Sequence, residues 1–498
     1  MNREMQRRAA DWRNGAIVYQ VLVDRFAPAA DLDSKRRHYA EPRMLKRWDE
    51  VPRKGRFHEE ARVWTHELEF WGGDLASLAG RLDYLRGLGV EVVYLNPIFS
   101  SLTNHKYDTW DYHAVDPAYG TRDDLKRLAA ELHRREMRLV LDGVFNHVGR
   151  QSPLFQEASK DPSSRFRKFF RFTDRNPWGY VAWYDVENLP ELALEEPAVK
   201  DYVWARPESV VQSYLRQEEV DGWRLDVAHD IGMGLLSELT AAAHEARPGS
   251  LVVGEIWNYP EQWFPAVDGL INFHGRLALL RMLEGRLPGP RVGEMWATMV
   301  ADAGLEPMLK SWLVLDNHDT PRLANILKKD WQARMARVLQ FTLPGSVCLY
   351  YGSELGMAGG EDPEMRAPMR WDLARDDNAV LSLHRRLLAL RHRKPALRYG
   401  DFRVLEAQRC LAFLRATGSA RETVVVIANP TDRESVETLQ IRESKFQNHT
   451  VLEDALGGQT WRLDTGLLDV TVPAHGVLVL EPRIGPSPKG YDRYDRMP

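Results

Sequence analysis

The chain has 498 residues, 44% hydrophobic, 28% charged and 10% aromatic, which is ample apolar material for a large core and excludes a disordered chain. Its 71 acidic and 67 basic residues leave a formal charge of -4, so no surface dominated by one sign is implied, and neither nucleic acid nor an anionic membrane is an expected partner. No stretch approaches the roughly 18 apolar residues that span a bilayer. The N-terminus, MNREMQRRAADWRNGA, has no apolar region of a secretory signal behind its charges, and Cys348 and Cys410 make neither a disulfide framework nor a metal spacing. The expected location is the cytoplasm.

Taken in chain order, eight short β-branched runs recur, most with polar residues towards their ends: VYQVLVDRF (18–26), VEVVYLNPIF (90–99), RLVLDGVFNH (138–147), VDGWRLDVAH (220–229), LVVGEIW (251–257), DGLINF (268–273), SWLVLDNHD (311–319) and SVCLYYG (346–352). Such near-continuous apolar strands suit a parallel sheet buried on both faces. Amphipathic stretches lie between them. Residues 74–89 place Leu75, Leu78, Leu82 and Leu85 at helical spacing and stop at Gly89, and residues 121–137 open on Thr121 with an acidic first turn. This alternation predicts an α/β chain folded as a closed (β/α)8 TIM barrel, formed by residues 1–147 and 197–397.

Residues 148–196, rich in Phe, Trp, Pro, Asp and Arg, break the rhythm after the third strand and predict a small inserted subdomain beside the active site. Beyond the helix near 379–393, short strands divided by turns predict a C-terminal antiparallel β-sandwich over 398–484, followed by a solvated tail at 485–498.

In barrels of this kind the site lies at the C-terminal strand ends. The polar residues there are Asp142, Asn146 and His147 after the third strand, Arg224, Asp226, His229 and Asp230 at the fourth, Glu255 at the fifth, and Asp316, Asn317, His318 and Asp319 at the seventh. Arg224 and Asp226, two apart on a strand, point to one face, and a guanidinium beside a carboxylate favours the ionised form a nucleophile needs. Glu255 sits between an apolar run and Trp257, surroundings that favour the protonated form a general acid needs. An anionic nucleophile with a protonated acid is the pairing that cleaves glycosidic bonds with retention. His147 and His318 suit donation to sugar hydroxyls, Asp319 suits acceptance from two neighbouring ones, and Asp142 is read as acting indirectly. Aromatics at strand ends and in the insertion (Tyr107, Trp110, Trp178, Trp183, Trp257, Phe273) suit the apolar faces of sugar rings.

These residues carry a resemblance. DGVFNH (142–147), GWRLDVAH (222–229), GEIW (254–257) and LDNHD (315–319) resemble, in order and spacing, the four signature regions of the α-amylase family, glycoside hydrolase family 13. NHKYDTWDYHAVDPAYGT (104–121), LPEL (189–192) and YYGSELGMAGGEDPEMRAPMRWD (350–372) are similar to segments of its neopullulanase, cyclomaltodextrinase and maltogenic amylase branch. The resemblance implies Asp226 as nucleophile, Glu255 as general acid/base and Asp319 as the third carboxylate gripping the −1 sugar. It implies that Arg224, His147 and His318 line that subsite, that Tyr107 stacks on its ring, and that Trp257 and Phe273 border the acceptor side. It implies no required cofactor, with Asn146 matching a calcium ligand of many α-amylases.

Three departures stand out. The branch usually carries an N-terminal β domain that narrows the cleft, whereas the first strand here begins within about twenty residues. His229 and Asp230 stand where the branch has Asn-Glu, which bears on the acceptor side and on hydrolysis against transfer. LPEL replaces Pro-Lys-Leu-Asn. The expectation is a retaining hydrolase of α-1,4-glucosidic bonds in maltooligosaccharides, cyclodextrins or pullulan, with some transglycosylation; the alternatives are a dedicated glucan transferase or an α-1,6-acting glucosidase. A non-catalytic carbohydrate-binding protein fits less well, since all three carboxylates are present. A metal-dependent barrel hydrolase would need short His clusters that the chain lacks.

Overall fold

The computed structural model of the chain describes residues 3–485 and 493–497. Eight parallel strands form its centre: β1 (Ile17–Val21), β2 (Val92–Leu95), β3 (Arg138–Gly143), β4 (Gly222–Leu225), β5 (Leu251–Gly254), β6 (Gly269–Leu270), β7 (Trp312–Val314) and β8 (Ser346–Tyr350). Seven of them fall inside the apolar runs, and β1 starts one residue before its run. They hydrogen-bond in the order β6-β5-β4-β3-β2-β1-β8-β7. The ring closes where Ile271, just past β6, bridges Trp312 in parallel and Asn272 N donates to the Trp312 carbonyl. Alternate residues divide between two cores. Val18, Val92, Tyr94, Val140, Val253 and Trp312 fill the barrel, while Ile17, Tyr19, Val93, Leu139 and Leu141 pack outward against the helices. Both faces are buried, which is why the runs read as continuously apolar rather than alternating.

The helix Arg122–Arg134 starts where expected, with Thr121 accepting from Asp124 N in a capping box. The stretch 74–89 is two helices, Leu75–Ala79 and Leu82–Leu88, broken at Gly80, whose weak helix propensity permits the turn. It ends on Gly89 in the left-handed region at φ 85°, where a side chain would be strained. Residues 27–73, which carry no regular period, form an irregular excursion after β1 with a small hairpin of Phe57–His58 and Val63–Trp64. Arg62 on its turn pairs with Glu187 of the insertion at 2.7 Å.

The insertion leaves after β3. Its helix Pro153–Lys160 packs Phe155 against Phe170, Phe172 and Tyr180. Single antiparallel bridges, among them His147 to Glu191 and Ala182 to Pro190, lay LPEL alongside the third-strand loop.

After the long helix Ala379–Arg393 come β9 (Asp401–Val404), β10 (Leu411–Ala416), β11 (Val424–Ala428), β12 (Ser435–Gln440), β13 (Val451–Asp454), β14 (Thr460–Arg462), β15 (Leu467–Val472) and β16 (Val477–Pro482). A six-stranded antiparallel sheet, β9-β10-β11-β16-β13-β14, faces the pair β12-β15 across a core that includes Leu414, Ile427, Leu439, Leu452 and Val470. Of the expected tail at 485–498, residues 486–492 and 498 lie outside the described residues. Tyr494 departs from the solvated expectation: it is buried, its hydroxyl 2.5 Å from Thr450 Oγ1. Among the described residues, no helix is long and apolar enough to cross a membrane.

Candidate active site

Register brings the first charges together. β3 and β4 pair Asp142 with Arg224, so the fully buried guanidinium lies beside that carboxylate. Arg224 Nη1 donates to Asp142 Oδ1 at 2.7 Å and to Asp226 Oδ1 at 2.9 Å. Its Nη2 lies 2.9 Å from Glu255 Oε2, delivered by the end of β5. One planar fork thus fixes three carboxylates from three strands, which a lysine could not do. Val227, directly after Asp226, is held at φ 40°, ψ 43°, a costly conformation for a β-branched residue, and its N–H donates to Glu255 Oε2 at 3.0 Å.

Electrostatics at Asp226 depart from the expectation that Arg224 holds it ionised. Burial pushes its pKa well above the ordinary carboxylate value; Arg224 opposes, while the charges of Glu255, Asp142 and Asp319 add to the rise. Burial is the larger cause, and one guanidinium facing three carboxylates does not offset it.

Asp319 behaves oppositely. Enclosure raises it, but the pull and hydrogen bond of His318, with Arg366 and Arg224 behind them, outweigh that and hold it well below the usual carboxylate range. His318 Nε2 lies 3.0 Å from Asp319 Oδ2 and 2.5 Å from the Tyr107 hydroxyl, while its Nδ1 meets Gln20 Nε2 at 2.8 Å. The Tyr107 and His318 rings are stacked, 5.3 Å apart at 10°. Tyr107 and Tyr94 hydroxyls both donate to Asp142 Oδ2, at 2.9 and 2.6 Å. Asp142 therefore has its oxygens occupied and acts through Arg224 and Tyr107. Arg366, from the loop after β8, donates to the His318 carbonyl at 2.8 Å and lies 3.4 Å from Asp319 Oδ1 and 3.3 Å from Asp362.

Around these groups opens a cleft of about 520 Å³, walled by Tyr107, His147, Trp183, Tyr184, His229 and Trp257 with the three carboxylates. His147 is buried, which lowers its pKa to about 4, and its Nε2 has no partner among the described residues. A neutral imidazole of this kind suits a sugar hydroxyl. Its ring stacks on Trp183 of the insertion, whose Nε1 donates to Asp230 at 2.8 Å. His229 Nδ1 lies 3.3 Å from the Glu255 carbonyl. Trp257 is half exposed and lies flat on Phe273, 3.6 Å away. Phe273 is thereby covered and supports the acceptor-side wall without lining it.

Asn146 places its amide 3.5 Å from His147 Nδ1, and among the described residues no three carboxylate, imidazole or thiol groups converge in a metal-binding arrangement.

Sequence reasoning missed Gln20, Asn96, Tyr94 and Arg366. Gln20 and Asn96 are polar residues at the ends of apolar strands, a readable signal. Arg366 has none, because only the fold brings its loop to Asp319.

A family profile described as "Alpha amylase, catalytic domain" matches residues 20–396. The chain is similar to neopullulanase 2 of Thermoactinomyces vulgaris, 32% identical over 474 residues, which covers 91% of this chain and 73% of that protein. It is also similar to a cyclomaltodextrinase of Geobacillus thermopakistaniensis, 32% identical, covering 95% of this chain and 77% of that one. Among solved structures, the cyclic α-maltosyl-(1→6)-maltose hydrolase of Arthrobacter globiformis superimposes with a TM-score of 0.78 at 25% identity, covering 95% of this chain and 99% of that one. With its barrel, its inserted subdomain and its three converging carboxylates, the chain belongs to the α-amylase family of glycoside hydrolases.

Proposed function

We propose that the chain hydrolyses α-1,4-glucosidic bonds of maltooligosaccharides, cyclic dextrins or pullulan with retention of configuration, transferring part of the glycosyl groups to sugar acceptors. The observation that carries this is the Arg224 fork. Asp226 and Glu255 each lie 2.9 Å from a different nitrogen of the same guanidinium, which gathers a nucleophile and an acid candidate at one point of the cleft, the pairing that retaining glycosidases use.

In this reading Asp226 attacks the anomeric carbon while Glu255 gives its proton to the departing glycosidic oxygen, which takes the bond's electron pair. The glycosyl–Asp226 ester is then cleaved as Glu255 takes a proton from water or a sugar hydroxyl attacking the same carbon. The first step needs Asp226 ionised and a proton on Glu255. Asp319, kept ionised, accepts two hydroxyls of the −1 sugar, His147 Nε2 donates to a third, and the Tyr107 ring packs on the sugar face. Trp257 offers its exposed face to the acceptor. No step requires a metal or an organic cofactor.

The relatives named neopullulanase, cyclomaltodextrinase and cyclic α-maltosyl-(1→6)-maltose hydrolase support pullulan and cyclic dextrins as substrates. Cytoplasmic action fits this diet of small dextrins. The test is the initial rate on a cyclic dextrin, pullulan and soluble starch, with products resolved by chromatography and their anomeric configuration followed by NMR. α-Configured products released fastest from the cyclic substrate are expected. β-Configured products would overturn retention, and release from none of the three would overturn the substrate class.

A further inference from the structure

Away from the cleft, a second cavity of about 610 Å³ opens between the strand Thr109–Val115, the helix Pro153–Lys160 of the insertion, and residues 197–202. Its size lies within the roughly 300–1,000 Å³ of small-ligand sites. Trp110, Phe166 and Tyr202 supply half-buried rings, and Asp111, His113 and Arg165 supply polar groups. The rings are held in place: Tyr202 meets His113 edge-on at 5.2 Å, and the Arg165 guanidinium lies 4.5 Å over Phe166.

Two further observations mark this as more than a crevice. Tyr202 sits on a π-helical turn, Asp201–Ala205, a rare geometry found disproportionately at functional sites. The Trp110 Nε1–H is shielded from solvent and has no acceptor among the described residues.

The chemistry narrows the occupant. A carboxylate and a guanidinium in one cavity favour neither an anion nor a cation, and a purely apolar ligand would make no use of the polar groups beside the rings. A pyranose satisfies the whole set, with C–H faces for the rings and vicinal hydroxyls for Asp111, His113 and Arg165. Position supports a glucan in particular. Tyr112, between two cavity residues, turns its hydroxyl the other way, to the carbonyls of Val144 and His147, each at 2.5 Å. The strand that lines the cavity is thus bonded on its other side to the loop that carries His147 of the cleft.

We propose that this cavity binds a segment of α-glucan outside the catalytic cleft and tethers longer substrates to the enzyme. The proposal rests on the α-glucan activity argued above. The test uses the full chain carrying Asp226→Asn, so that bound glucan is not consumed, with and without Arg165→Gln and Phe166→Ala. Retardation is measured in native gels containing amylopectin, and binding stoichiometry by calorimetry with maltoheptaose.

Two glucans per chain are expected for Asp226→Asn and one after the cavity substitutions, with retardation weakened roughly tenfold by loss of a stacked ring and a charged donor. In the active enzyme, Arg165→Gln alone should leave rates on maltotriose unchanged while raising KM on amylopectin. One glucan per chain in Asp226→Asn, or equal retardation with and without both substitutions, overturns the second site and leaves the catalytic reading standing. Failure of Asp226→Asn to bind any α-glucan overturns both.

Discussion

The inserted subdomain forms one wall of the cleft, and among the described residues one side-chain hydrogen bond ties the tip of that wall, residues 183–186, to the barrel: Trp183 Nε1 to Asp230 Oδ2, 2.8 Å. The tip is strained. Tyr184 and Asp185 stand at φ 48° and 55°, which for the tyrosine costs roughly 1–2 kcal/mol, and Tyr184 is 76% exposed, so burial offsets little of it. A hydrogen bond to a charged group is worth about 1.5–3 kcal/mol when dry. With the Asp230 side chain 34% exposed, about 1 kcal/mol is the defensible figure, a factor of about five between docked and released tip. Asp230→Ala should therefore lower kcat/KM by up to about fivefold on substrates long enough to pass Trp183, while rates on a short substrate with an activated leaving group hold. Hydrogen exchange should rise over residues 183–186. Asp230→Asn, whose amide oxygen still accepts, should restore both. If Asp230→Ala matches the parent in kinetics and exchange, or if Asp230→Asn falls as far as Asp230→Ala, the tether is not what sets the wall.

Asp226→Asn should abolish turnover yet raise Tm at pH 7. Because the folded-state pKa of Asp226 is raised, the stability it contributes is present below the ordinary carboxylate pKa and lost as pH climbs through the raised value; the Tm gap should close below about pH 4, and a lower Tm at neutral pH would contradict the burial argument. Glu255→Gln should lose hydrolysis of natural glucans while retaining far more rate on substrates with good leaving groups, and equal loss on both would remove Glu255 as the acid. Arg366→Ala removes a cation that holds Asp319 low, so the acidic limb of the rate profile should move to higher pH with a rise in KM; an unshifted limb would deny Arg366 that role.

Much of this was legible in the sequence because the barrel reports on itself locally. The eight strands are short apolar runs, and a polar residue closing such a run is by construction at the barrel mouth, which is how Asp226, Glu255 and Asp319 surface without a structure. What stayed hidden depends on partners distant in the chain. Arg366 meets Asp319 across 47 positions, and the sequence around it has no period to announce it. The excursion at 27–73 and the pairing of LPEL with the third-strand loop are held by isolated bonds rather than by repeating faces, so no periodicity could show them. Phe273 illustrates the converse. Its position at a strand end was read correctly, but its role depended on Trp257 lying over it, a tertiary fact.

The charge balance ties these threads together. A barrel mouth that must deliver a nucleophile and an acid within one bond's reach has to bury two carboxylates side by side, and Asp142 makes three. One guanidinium cannot neutralise three charges, and together with burial this pushes the Asp226 pKa well up. A second arginine placed to balance the charges fully would pull the Asp226 pKa back down. Asp319 escapes this compromise because His318 and Arg366 attend to it separately. It is held well below the usual carboxylate range, an anion in the wall of the same cleft.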